Sequence, residues 1–231
     1  MTEIGEVLDL LYAAEDSDRL EGMNRYGISI EKRMGVKVPE MRKIAKQVGV
    51  DHTLALELWQ TGFPEAMIVA SMVDDPAAVT EAQMEDWVVD FNSWDVCDQV
   101  CMNLFEKTPF AWTKINEWVK REQEFVKRAG FALIACLAWH DKSAPDENFI
   151  ELIPLINSGA TDGRNFVKKA VSWALRNIGK RNRNLNRVVL EAAENLKASE
   201  SKTARWIGSD TIRDITSPAA QRRLAKEDLV E

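Results

Sequence analysis

Between Glu3 and Ala14 the apolar residues Ile4, Val7, Leu8, Leu10 and Leu11 recur at intervals of three and four, the spacing of one helix face. Leu54, Leu56 and Trp59 give Asp51–Gln60 the same reading. Pro39 fits the first turn of a helix through Met41, Ile44, Ala45 and Val48, with Gly49 as its stop. Pro64 opens another through Ala66, Ile68, Val69 and Met72, which ends near Asp74-Asp75-Pro76. No segment sustains the period-two alternation of a half-buried strand. The pattern predicts an all-α chain.

The helices come in pairs. Trp59 closes one and Pro64 opens the next after a short link; Trp87 precedes the Phe91–Trp94 start, and Trp118 precedes Phe125. Leu155-Ile156 comes before a Gly-containing link to Phe166. Two of the openings, FVKRA at Phe125 and FVKKA at Phe166, are near copies 41 residues apart. A period of about 40–47 residues is that of HEAT and armadillo helix pairs. The expected architecture is a curved solenoid of antiparallel HEAT-like helix pairs, with second helices lining one concave face. The turn-rich links Asp141–Asn148 and Asn157–Gly163 are short, so one domain over 1–231 is expected. Ser217–Glu231 reads as a capping helix or a partly disordered tail.

Composition narrows the classes. The 231 residues are 45% hydrophobic and 29% charged, a globular balance with ample core, and seven Pro with eleven Gly are few for an all-β chain. No apolar run reaches the ~18 residues of a spanning helix, and the acidic start Met1–Glu6 lacks a secretion signal. Cys97, Cys101 and Cys136 form neither a disulfide framework nor a C-x-x-C knuckle. A cytoplasmic protein with no membrane partner is expected. His52 and His140 fit no metal-ligand spacing and no phosphate-cradling Gly motif is present, so neither metal nor cofactor is expected.

Charge changes the picture most. The net charge is −7, yet residues 1–100 hold 8 Lys+Arg against 20 Asp+Glu, and residues 101–231 hold 22 against 17. Arg164, Lys168, Lys169, Arg176, Lys180, Arg181, Arg183 and Arg187 follow one another with no acidic residue between. A focused basic face can meet phosphates despite a negative total, because distant charges are screened. The plain alternative is a solvated helix face. On a helix from Phe166 to Lys180, Lys169, Trp173, Arg176 and Lys180 share one stripe, while Ala170, Val171, Ala174, Leu175 and Ile178 share another. Trp173 then either packs under Lys and Arg stems or offers a ring to nucleic acid between phosphate contacts.

A second constellation is Asn92-Ser93-Trp94-Asp95-Val96-Cys97-Asp98. Asn92 or Ser93 suits an N-cap, which puts Trp94 and Asp98 one turn apart on one face and sends Val96, Val100 and Leu104 toward the core. From spacing alone, Trp94 is either an interhelical packing residue or half of an aromatic–carboxylate pair.

Five segments in order, RMGVKVPEMRKIAKQVG, DFNSWDVCDQV, EFVKRAG, RNFVKKAVSWALRNIGKRN and ARWIGSDTIRD, together resemble the AlkD-type DNA alkylation repair glycosylases, from about Tyr26 to Asp214. The resemblance implies HEAT-like helix pairs and excision of N3- and N7-alkylated purines from duplex DNA. It implies Asp98 as catalytic carboxylate, Trp94 and Trp173 as rings beside the lesion's sugar, and Arg128 on the phosphate backbone. Lys169, Arg176, Lys180 and Arg181 would be further DNA contacts. A monomer acting on double-stranded DNA without a metal is the expectation, with a catalytically inactive DNA-structure binder or a protein-binding scaffold as alternatives. The IEKRMGVKVP stretch replaces the opening of the best-known members.

Overall fold

The computed structural model describes residues 3–227. Among them are fourteen α-helices, one short 3-10 helix and no strand. By their internal contacts these divide after Ala111 into two compact units.

The first unit begins with α1 (Ile4–Ala13), where Glu3 and Glu6 form a reciprocal capping box and Val7 and Leu11 are buried. After α2 (Asp18–Arg25), a loop leads into α3 (Val38–Val48). Gly35 in that loop has φ +76°, and a Cβ there would lie 2.2 Å from the Asp16 carbonyl oxygen, so only glycine fits. As the sequence predicts, Pro39 sits in the first turn of α3 and Gly49 stops it at φ 82°. The pair α4 (His52–Gln60) and α5 (Pro64–Val73) follows, the former capped by Asp51 through the Leu54 amide. Helix α5 packs against α3, α4 and α7 (Trp94–Asn103), which explains why it is apolar nearly all round. Between them runs α6 (Glu81–Val89). Trp59 and Trp87 stack at 3.8 Å with rings 6° from parallel, beside Phe91 and Phe105, and the Trp59 indole donates to Asp90 Oδ2 at 2.8 Å. This aromatic core accounts for two of the eight tryptophans.

The second unit runs through α8 (Ala111–Trp118), α9 (Glu124–His140), α10 (Asp146–Gly159), α11 (Asn165–Gly179), α12 (Arg183–Lys197), α13 (Lys202–Ile215) and α14 (Pro218–Glu227). Helix α11 packs against α9, α10, α12 and α13. The repeated FVK(R/K)A segments open α9 and α11 at the same place, and the Phe125 and Phe166 rings meet at 5.4 Å. The 41-residue repeat is therefore a real packing unit. The expected links are shorter than the sequence suggests, because α10 absorbs Asp146–Asn148 and Asn157–Gly159 and carries Pro154 within it. Part of the C-terminal segment is helical as α14; residues 228–231 lie outside the described residues. No helix among the described residues is long and apolar enough to cross a membrane.

Candidate nucleic-acid interface

In the first unit, Ser93 occupies the N-cap of α7 with extended backbone, but its hydroxyl does not cap the helix. Instead it donates to Asp95 Oδ1 at 2.5 Å and accepts from Arg33 Nη2 at 2.9 Å. Arg33 closes a bidentate pair on Asp95 at 2.6 and 2.8 Å, and its Nε donates to the Ser29 carbonyl at 2.8 Å. Its side chain is only 1% exposed. A planar guanidinium on a carboxylate is the most directional ion pair available, so the loop before α3 is fixed to the first turn of α7. The Trp94 indole adds a second tie, donating to the Tyr26 carbonyl at 3.1 Å.

The consequence is a face of set geometry. Trp94 and Asp98, one turn apart, are both half-buried, while Val96, Cys97, Val100 and Cys101 of the same helix are buried. Leu104, just past the helix, is buried as well, so the core side is the one the spacing predicts. Tyr26, beside Trp94, is 75% exposed.

In the second unit the basic residues take different positions. Arg128, on α9, is only 5% exposed and donates to the Phe166 carbonyl at 2.6 Å, tying α9 to the start of α11. Lys169, one repeat later, is exposed. Trp173 is half-buried on the same stripe. Arg176 Nε lies 3.3 Å from the Ser172 carbonyl and 3.8 Å from Asp210 Oδ2, and Lys180 Nζ lies 2.7 Å from Asp214 Oδ2. Arg181 is 9% exposed; it donates to the Ala138 and Ala144 carbonyls at 3.2 and 2.7 Å and stacks 4.7 Å from the Phe149 ring centre. That guanidinium braces the end of α9 instead of facing solvent. A surface phosphate contact, its expected part, does not suit so buried a group.

The basic run is thus less bare than its sequence. Asp162, just before it, accepts from Arg164 at 2.6 and 3.0 Å and lies 3.5 Å from Lys127 Nζ. Mainly through the Arg164 hydrogen bonds, and against the opposing cost of burial, its carboxyl is lowered to about 2. Arg164 is raised in turn by the same partner. Lys168 sits over the Trp206 ring at 4.9 Å. The other candidate ligand of the sequence, His52, has Nδ1 2.6 Å from Asp74 Oδ1, and Gln83 donates to the second oxygen of that carboxylate, Oδ2, at 2.7 Å.

The profile of the family described as "DNA alkylation repair enzyme" matches residues 7–212. The chain belongs to that family. A solved structure described as "a new family of proteins related to the HEAT-like repeat DNA glycosylases with affinity for branched DNA structures" shares 19% identity. It covers 92% of this chain and 95% of its own, with a TM-score of 0.77, and so shows a shared HEAT-like fold. A designed armadillo repeat protein in complex with the peptide (KR)4 aligns at 14% identity over 99% of this chain and 89% of its own, at a TM-score of 0.39. No curated protein matches the sequence.

Several of these contacts carry little signal in the sequence. Arg33 and Asp95 are 62 residues apart, and each reads as an ordinary surface charge until the fold joins them. Asp210 and Asp214 fall outside the basic run they neutralise. Their only sequence signal is an i, i+4 spacing that matches Arg176 and Lys180.

Proposed function

We propose that this protein is a DNA glycosylase that hydrolyses the N-glycosidic bond of N3- and N7-alkylated purines in duplex DNA. An alkylated purine of this kind carries a positive charge and departs as a neutral base, so no general acid is needed. The remaining barrier is the oxocarbenium cation that develops on the sugar. A carboxylate and electron-rich ring faces stabilise such a cation, each ring by about 0.5–2 kcal/mol. Asp98 is the carboxylate, and it also orients the attacking water, as a carboxylate does in glycoside hydrolysis. Trp94 and Trp173 offer ring faces to the deoxyribose. Lys169, Arg176 and Lys180 meet phosphates, which supplies affinity and register without sequence reading. Arg128 and Arg181 support that surface from below.

The observation that carries this reading is that Trp94 and Asp98 lie half-buried one turn apart on α7, whose first turn is anchored through Asp95, in a chain of the DNA alkylation repair family. Methylated duplex DNA incubated with the protein should release free 3- or 7-methylpurine. Asp98→Asn should cut the rate on the order of 10²–10³-fold while DNA binding persists. Release indifferent to Asp98→Asn would overturn the assigned role.

A second reading, a DNA-structure binder without excision, is favoured by the likeness to a structure whose description names affinity for branched DNA. It expects tight binding to junctions and no base release from any methylated substrate.

A further inference from the structure

Helices α11 and α13 face each other with a matched four-residue rhythm. Lys168 meets Trp206, Ser172 donates to Asp210 Oδ2 at 2.7 Å, Arg176 approaches the same oxygen, and Lys180 meets Asp214. Arg213 pairs with the other oxygen of Asp210. Two of the three cations on the α11 stripe therefore have a carboxylate of α13 as neighbour; Lys169, one turn before Trp173, stands exposed.

These two contacts differ from the structural ion pairs elsewhere in the chain. Arg33–Asp95 is bidentate and nearly closed to solvent. Arg176 Nε, by contrast, is 3.8 Å from Asp210 Oδ2, beyond a good hydrogen bond. Lys180 Nζ lies 2.7 Å from Asp214 Oδ2, a short but single contact, without the second hydrogen bond that closes the Arg33–Asp95 pair. Both basic side chains also keep solvent access, at 31% and 21% exposed. A cation that keeps solvent access beside a carboxylate is open to exchange for another anion.

We infer that Asp210 and Asp214 act as built-in stand-ins for DNA phosphates, holding Arg176 and Lys180 in place on the free protein and yielding them to the backbone on binding. The inference rests on the reading that α11 meets DNA. Its physical effect is to temper affinity. A lysine that leaves a carboxylate for a phosphate gains little net Coulomb energy, and the freed carboxylate then faces the polyanion at close range. It also flattens the salt dependence, because the exchange changes the counterion count on the protein side while each ordinary contact costs about 0.9 in log–log slope. The class of regulated partner is the sugar–phosphate backbone itself, independent of base or lesion. A weak, sequence-blind grip suits a protein that must leave undamaged duplex.

The experiment measures anisotropy of a fluorescein-labelled undamaged duplex against salt for the wild-type chain and for Asp210→Asn/Asp214→Asn. The double variant should bind roughly three- to tenfold more tightly at one salt, with a slope steeper by about one to two. The gain from Asp214→Asn alone should shrink in a Lys180→Ala background to the part that lost repulsion supplies, and its steeper salt slope should disappear there. Asp214→Asn also serves where the double variant unfolds, since Asp210 carries more contacts. Glu191→Gln/Glu194→Gln on α12, exposed acids in the same unit, should change binding little. An equal gain from that control, or no gain from the α13 variants in a wild-type chain that binds DNA, would overturn the stand-in role and leave the DNA reading intact. A wild-type chain with no salt-dependent duplex binding would overturn both.

Discussion

At the scale of single residues, Arg33 shows how much one buried cation organises. Its guanidinium satisfies Asp95, Ser93 and the Ser29 carbonyl together, in a place where water cannot substitute. Removing one member of such a pair leaves the other partly buried and uncompensated, which costs more than the pair itself contributes. Arg33→Met should therefore destabilise the chain by about 3 kcal/mol in urea unfolding, whereas Asp95→Asn with Arg33→Met should recover part of the loss. Single-residue reading found the polar partners of neither. It did find Trp94 and Asp98 on one face and Val96, Val100 and Leu104 in the core, because a helix converts spacing directly into direction.

Elements were legible wherever periodicity and punctuation agreed. Pro39, Gly49 and Pro64 mark helix ends in the sequence and in the fold, because each acts through its own backbone geometry. Polar composition is a poorer guide to links: Asp146–Asn148 and Asn157–Gly159 have turn-like composition and are helix. One polar tie between α9 and α11 is Asp162, held by Arg164 at the start of α11 and 3.5 Å from Lys127 of α9. Its folded pKa of about 2 lies below the unfolded value of 3.8, so the contribution is fully present above about pH 4 and is lost as pH falls toward 2. Allowing for solvent screening, this amounts to about 1 kcal/mol. Thermal unfolding between pH 2 and pH 5 should show that loss in the wild-type chain, and Asp162→Asn should flatten the curve over the same window.

At the scale of the molecule, the negative total hides a basic second unit, which the proposed function sets against the DNA backbone. Lys169 is the stripe cation that tests this most simply. Lys169→Glu should weaken duplex binding about tenfold and reduce the salt slope by about one, read by anisotropy at several salt concentrations. A protein-binding scaffold would show neither change.

The sequence alone determined what acts locally or repeats: helical segments, their pairing at a 41-residue period, the core faces, and the motifs that mark the family. Propensity, amphipathic spacing and proline stops are properties of neighbouring residues, and one chain displays them in full. Tertiary structure alone decided which charges are free to act. Arg33 is spent on Asp95, Arg181 on backbone carbonyls, and Arg176 and Lys180 stand beside acids on another helix. Such pairings depend on distances between segments far apart in the chain, and Coulomb forces at a few ångströms respond to those distances and not to order along the backbone.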